Sequence, residues 1–387
     1  MEKNRFIPSL TPLRGIAAIL VVFFHFHIFL GPLTPPDNFV VSKLYLMVDL
    51  FFVLSGFIMA HVYGNSFKGK IKKVDFIKFM KARFARLYPL HIFTFLYLLI
   101  WAIYMKSQIN FLDTPAIVQS VFDNSAIFGV LTLTHAWGTH MEATWNTASW
   151  SISVEWFLYL LFPFLAFLFY KYKRSAAWSL GLCSLILLFI ISYYIEPIWI
   201  ETISKARGLT EEQTAFRPTN TIDIITGFAL LRGFCSFVFG MITYEIYKTG
   251  KYRSTLKKGF WFPLIWCVLF ICWIKDVLLD PFAILLFSLL ILHSSRAEGT
   301  LKKILNNKVF TYLGDISYSI YMVHVPIILT LFITSLIKGE MPEPPPDEIN
   351  FAQNWIGAFI LCLIVIMVAS LTYRFIEKPA RRALKKL

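Results

Sequence analysis

An all-α bundle of about ten membrane-spanning helices, with both termini in the cytoplasm, is the fold this sequence predicts. Three observations carry the prediction. Of the 387 residues, 57% are hydrophobic and only 16% charged, a balance that soluble domains rarely show. Several apolar runs approach or exceed the roughly 20 residues that cross a hydrocarbon core about 30 Å thick. The basic residues are sorted onto alternate connecting segments, as a positive-inside orientation requires. Backbone groups in lipid must be satisfied within their own segment, so the runs are read as helices.

The spans are expected near 13–30, 44–63, 87–105, 148–170, 176–197, 223–247, 260–274, 278–293, 311–337 and 351–373. With the N-terminus inside, 29 of the 37 Lys and Arg fall in segments 1–14, 64–86, 171–174, 248–258, 295–308 and 374–387. Seven fall outside (Lys43, Lys106, Lys205, Arg207, Arg217, Lys275 and Lys338), and Arg232 lies within a span. This sorting accounts for most of the net charge of +14 without nucleic acid and leaves membrane lipids as the partner of the basic faces. The head MEKNRF is followed by no small-residue cleavage site, so the first apolar run is read as a span, not a cleaved signal. Cys183, Cys235, Cys267, Cys272 and Cys362 all sit in apolar runs, which points away from a disulfide framework and from a metal site. No internal repeat suggests an inverted-repeat transporter. The outer segments 106–147, 198–222 and 338–350 are the longest; the last contains EPPP and reads as an irregular turn. None is long enough for a second catalytic domain. The chain is therefore read as one membrane-embedded domain, 1–387, with a basic amphipathic segment at 64–86, and any chemistry belongs inside the bundle.

Ionisable groups within spans are costly and face a partner or a polar cavity. Span one begins LTPLRGIAAILVVFFH. Thr11 suits an N-cap and Pro12 the first helical position. Arg14 then lies in the first turn, where a cation opposes the helix dipole and free N–H groups favour an anion such as phosphate. Eleven residues at about 100° each make roughly three turns, so Arg14 and His25 share one face about 16 Å apart along the axis. Taken singly, Arg14 also fits a positive-inside anchor and His25 a packing histidine; His27 faces elsewhere and reads as structural.

Span two, LYLMVDLFFVLSGFIMAHVY, places Asp49 and Gly56 two turns apart on one face, beside Ser55. Ser–Gly is also a close-packing pair between membrane helices, which leaves Asp49 unexplained. In KGKIKKVDFIKFMKARFARLYP, Val74, Ile77, Met80 and Phe84 recur at helical spacing with Lys and Arg between them. This is the pattern of a surface helix that anionic lipid attracts. Arg83 and Arg86 are three apart, point the same way, and offer forks suited to phosphate at a bundle entrance. Span four opens TWNTASWSISVEWFLYLLFP. Ser151 and Glu155 share a face just past Trp150, with Glu155 roughly 8–12 Å deep, near the level His25 reaches from the other side. Span nine, YLGDISYSIYMVHVPI, sets Tyr318, Tyr321 and His324 at three-residue steps; tyrosines of an interfacial belt are the alternative there.

The pattern resembles the acyltransferase-3 family of membrane-bound O-acyltransferases. The matches run from LTPLRGIAAILVVFFH through VDLFFVLSGFIM, RFARLYPLH, SWSISVEWFLY and YLGDISYSIYMVHVP to YRFIEKPARR, collinear over almost the whole chain. The resemblance implies about ten helices and transfer of an acyl group, most commonly acetyl, from coenzyme A to hydroxyls of glycans and other acceptors. It implies a stand-alone form without the esterase-like domain that some members carry. Residue by residue, it implies donor binding and catalysis for Arg14 and His25, and donor binding for Arg83 and Arg86. Asp49, Ser55, Gly56 and Glu155 are implied to lie near the reaction centre.

Acetyl-coenzyme A is thus the expected donor, with no metal, and a carbohydrate or glycolipid the expected acceptor. Arg14, Arg83 and Arg86 are expected to hold the donor's phosphates and His25 to act as general base or acyl carrier. Glu155 or Asp49 is expected to orient its imidazole. Ser55, Gly56, Trp150, Ser151, Tyr318, Tyr321 and His324 are the expected substrate contacts. The competing class is a transporter or flippase of a lipid-linked glycan, which also needs charge inside the bundle but not the Arg-x-x-Arg pair with the Arg-to-His stripe.

Overall fold

The computed structural model describes residues 7–35, 38–140, 142–172, 174–206, 221–225, 227–250, 261–339 and 350–384. The EPPP turn and most of the outer segment 198–222, with Arg207 and Arg217, lie outside the described residues. Helices account for nearly all of the rest: α1 Thr11–Phe29, α2 Met47–Tyr63, α3 Lys73–Gln108, α4 Ala116–Val121, α5 Ile127–Thr132, α6 Trp150–Lys171, α7 Arg174–Ile190 and α8 Glu196–Ala206. They continue as α9 Ala229–Thr249, α10 Trp261–Trp273, α11 Phe282–Ser295, α12 Gly299–Leu305, α13 Lys308–Asp315, α14 Ser317–Ile337, α15 Phe351–Thr372 and α16 Lys378–Leu384.

Eight helical stretches are long and apolar enough to cross a membrane, and the all-α membrane bundle stands. Each of the ten predicted spans has its helix. The seventh and eighth, however, are short apolar helices, Pro263–Trp273 and Phe282–Ser295, about 17 and 21 Å long at 1.5 Å per residue, less than a hydrocarbon core. Their connection is drawn inward because buried Asp280 accepts from Lys43 Nζ at 2.7 Å and from the Tyr45 hydroxyl. Large apolar side chains such as Ile100, Leu182, Ile186, Phe359, Leu363 and Met367 are exposed on the outside of the bundle, where lipid takes the place of water.

The segment expected as a separate surface helix is part of α3. After a 3-10 turn at Gly64–Phe67, one 36-residue helix runs from Lys73 through Pro89 to Gln108. Its inner half packs into the protein, with Phe79 buried against Phe67, Tyr159 and Phe162. Pro89 removes the N–H that the Ala85 carbonyl would accept, and in the same turn the Leu87 carbonyl accepts the Tyr318 hydroxyl at 2.5 Å. Thr11 is no cap either: a 3-10 turn at Pro8–Leu10 leads directly into α1, and no side chain caps it.

Glycines set the two closest crossings. A Cβ on Gly56 would collide with the Phe237 carbonyl of α9, and one on Gly240 with the Val53 carbonyl of α2. This reciprocal pair gives α2 and α9 the most extensive helix contact in the bundle. Gly15 and Gly314 do the same for α1 against α13. The outer segment after α3 folds back on the bundle: Trp145 is buried against Phe95 and Phe122, and His91 bonds the Val130 carbonyl at 2.8 Å.

Candidate active site

Four helices and the basic stretch of α3 enclose a cavity of about 120 Å³. Arg14 comes from α1, Ser55 from α2, Arg83 and Arg86 from α3, Ser151, Glu155 and Tyr159 from α6, and Tyr318 and Tyr321 from α14; Val48, Phe51, Phe52 and Ile58 make the apolar part of the wall. Eight of the residues singled out in the sequence therefore share one cavity. His25, Asp49, Gly56, Trp150 and His324 do not line it.

The cations of the cavity are not equivalent. Arg86 is ion-paired with the buried carboxylate of Glu377 and lies over the Tyr318 ring. Arg83 donates to the Tyr63 hydroxyl at 2.8 Å and sits among the rings of Tyr63, Tyr159 and Phe79, 5.0–5.9 Å from their centroids. Neither Arg83 nor Arg14 forms an ion pair among the described residues. Glu155 faces them with one oxygen already occupied: Oε1 accepts from Ser55 Oγ at 2.9 Å and from the Tyr159 hydroxyl at 2.5 Å. Two guanidiniums without an ion pair, facing one carboxylate, leave net positive charge in the bundle interior and favour an anionic ligand, because an unpaired charge out of water is costly.

His25 stands apart from the cavity, in contact with His324. Its Nδ1 is 3.0 Å from the Val21 carbonyl and 3.2 Å from His324 Nε2. A carbonyl tolerates only a donor at that distance, so Nδ1 carries the hydrogen and Nε2 keeps its lone pair. The ring is held between Phe29, stacked at 6.0 Å, and fully buried His324 at 4.7 Å. Tyr321 links the two places. Its hydroxyl bonds Ser151 Oγ at 2.7 Å in the cavity wall, and its ring lies 5.7 Å from that of His324.

The expected carboxylate partner of His25 is not found. No Asp or Glu bonds its imidazole among the described residues. Asp49 is fully buried and held by Arg232, through Nε at 3.3 Å to both oxygens and Nη2 at 2.9 Å, and by Ser236 Oγ at 3.0 Å. Asp223 takes Arg232 Nη1 at 2.7 Å. The role expected of Asp49 in orienting His25 is thus replaced by a buried ion pair between α2 and α9. Gly56 stands at their crossing and does not line the cavity. Trp150 lays its ring 5.1 Å from the Arg232 guanidinium, a cation–π contact within the same assembly. His27 is structural: it accepts from the Leu33 N–H at 2.8 Å and bonds Ser42 at 3.2 Å.

Sequence reasoning missed Arg232, Tyr159, Glu377 and Tyr63. A lone arginine within a span demands an acid, and that signal was legible for Arg232 and Asp49. Tyr159 lies four residues after Glu155 on the same helical face. Glu377 ends a π-helical turn, Tyr373–Glu377, within the quoted YRFIEKPARR. Among the described residues no group of three or more His, Cys, Asp or Glu side chains could hold a metal.

Comparison with known proteins places this chain in a family. The chain is 24% identical to O-acetyltransferase OatA of Staphylococcus aureus over 99% of its length and 58% of that protein's. It is 24% identical to peptidoglycan O-acetyltransferase OatA of Listeria monocytogenes over 98% of the chain and 56% of the relative. To a peptidoglycan O-acetyltransferase of Bacillus subtilis, named YrhL and described as unproven, it is 23% identical over the same shares. The chain thus spans somewhat more than half the length of the curated relatives it matches. No solved structure matches it. An acyltransferase domain is matched over residues 7–374, from the 3-10 turn before α1 to the π-helical turn after α15, and the chain belongs to the acyltransferase-3 family.

Proposed function

We propose that this chain is a membrane-bound O-acetyltransferase that takes acetyl from acetyl-coenzyme A on its cytoplasmic side and passes it to a hydroxyl of a cell-surface glycan, peptidoglycan being the first candidate. One observation carries the donor reading: Arg14 and Arg83 line the cavity without an ion pair, and Glu155, the carboxylate facing them, is bonded to Ser55 and Tyr159. Charge-assisted bonds to phosphate oxygens would satisfy both. A phosphate of the donor or the acyl-bearing end of its arm would occupy this cavity. Family membership and the relatives' peptidoglycan O-acetylation support the reaction class and the acceptor.

In this reading Tyr321 turns from Ser151 to let the thioester approach His25. His25 Nε2 takes the acceptor's hydroxyl proton. The oxygen bonds the acetyl carbon, the carbon–sulfur bond breaks, and the thiolate leaves as a free thiol with the proton from His25. Nδ1–H stays on Val21, and His324 shares the transient charge. Glu155 holds Ser55 and Tyr159 in the cavity wall and does not orient the imidazole.

The test is incubation of purified protein with acetyl-coenzyme A and peptidoglycan fragments. Acceptor-dependent thiol release that His25→Ala abolishes while the protein stays folded supports the reading. Wild-type rates in that variant overturn the role of His25. Movement of a lipid-linked glycan without thiol release overturns the enzyme in favour of a transporter.

A further inference from the structure

We infer that Glu377 is a positioning residue of the donor site: it holds the Arg86 guanidinium in the cavity wall, and through it the C-terminal end of the chain forms part of the binding machinery. The inference rests on the donor reading above.

Glu377 stands three residues past the last residue of the matched acyltransferase domain, within the quoted YRFIEKPARR. It ends the π-helical turn Tyr373–Glu377, which interrupts the regular helix between α15 and α16. Such turns insert one residue into a helical register and redirect the side chains that follow. Here the side chain is turned inward, and Glu377 is 1% exposed. Both of its oxygens are engaged. Oε1 accepts from Arg86, 291 residues away, and from Arg381 at 3.4 Å; Oε2 accepts from Ser319 Oγ at 2.9 Å. Arg86 is thus fixed from two sides, by the carboxylate and by the Tyr318 ring at 5.4 Å. Tyr318 is itself tied to α3 through the Leu87 carbonyl. A carboxylate on one edge of a guanidinium leaves its other N–H groups aimed elsewhere, and Arg86 lines the cavity.

Two roles for Glu377 predict opposite signs. As a mere counter-charge it weakens anion binding, and its neutralisation strengthens it. As a positioning residue it orders the fork, and its neutralisation weakens binding although the cavity becomes more positive.

The experiment uses the full chain in detergent micelles, with coenzyme A as the titrant and acetyl-coenzyme A in steady-state assays. Glu377→Gln should bind coenzyme A about ten-fold more weakly and raise KM for acetyl-coenzyme A by a similar factor, with kcat within about two-fold. Arg86→Gln should match it, and the double variant should be little worse than either, because the two act as one unit. Unchanged or tighter binding in Glu377→Gln, beside an Arg83→Gln variant that does weaken binding, overturns this assignment alone. Wild-type protein that does not bind coenzyme A overturns the donor reading and this assignment with it. Should Glu377→Gln fail to fold, Ser319→Ala decides: a two- to three-fold loss of binding supports the role, and no loss overturns it.

Discussion

Asp49→Asn separates a structural carboxylate from a catalytic one. Asp49 and Arg232 are both fully buried. The carboxylate takes three contacts from the guanidinium, at 2.9–3.3 Å, and one from Ser236 at 3.0 Å. Hydrogen bonds to charged groups contribute about 1.5–3 kcal/mol each, and breaking one side of a buried pair costs about 3–5 kcal/mol. Two features place this case at the lower end. Asparagine keeps one acceptor oxygen, and Asp223 still neutralises Arg232 from 2.7 Å. A loss of about 3 kcal/mol is expected. Arg232→Gln breaks the same pair from its other side, so the double variant should lose less than the sum of the two single losses. Unfolding by added ionic detergent, followed by circular dichroism, reads the stability, and thiol release per folded molecule reads the chemistry. Near-normal transfer by the folded fraction is expected. An Asp49→Asn protein of full stability and no activity would refute the assignment and return Asp49 to the reaction.

The helix crossings should be intolerant of a single methyl group: Gly56→Ala and Gly240→Ala should each cost about 1–3 kcal/mol, and unfolding midpoints equal to wild type would show that α2 and α9 do not meet as described. Arg83→Gln keeps much of the side chain but removes the charge; KM for acetyl-coenzyme A should rise at least about ten-fold with kcat little changed, whereas an unchanged KM would remove Arg83 from the donor site. Burial, with His91 beside it, holds the imidazole of His135 in the outer segment down to about 3. Unfolded histidine takes its proton near pH 6.5, so between those values the unfolded chain binds more protons and stability falls as pH falls. His135→Gln should therefore flatten the stability loss between pH 6.5 and 5 by up to about 2 kcal/mol, and a slope identical to wild type would contradict the neutral, buried state of that ring.

Local rules sufficed for much of this molecule. Apolar run length located ten helices, and helical spacing placed Arg14, Ser55, Arg83, Arg86, Ser151, Glu155, Tyr318 and Tyr321, which line one cavity. What local rules lacked was partnership. Asp49 looked like a free carboxylate because its partner is 183 residues away, and Arg86 looked free because Glu377 is 291 away. Gly56 showed its use only once the Phe237 carbonyl stood against it. The amphipathic stretch before Pro89 has a surface helix's periodicity and leaves Val74, Ile77 and Phe84 of that stripe exposed, while Phe79, outside the stripe, packs on Phe67 and Phe162. Periodicity shows which side is apolar, not what covers it.

The bond between Tyr321 and Ser151 also matters to the membrane as an electrical insulator. On the orientation set by the basic segments, the arginine-lined cavity lies on the cytoplasmic side of that bond and His25 beyond it. Between the cavity and His25 stand the buried side chains of Tyr321 and His324, a partition without a charged group of its own. An elementary charge crossing 100 mV gains or loses about 2.3 kcal/mol, and on the proposed donor route a charge passing from the cavity to His25 would meet this partition. On that proposal the closed bond between Tyr321 and Ser151 would also bar a proton path through the bundle between turnovers.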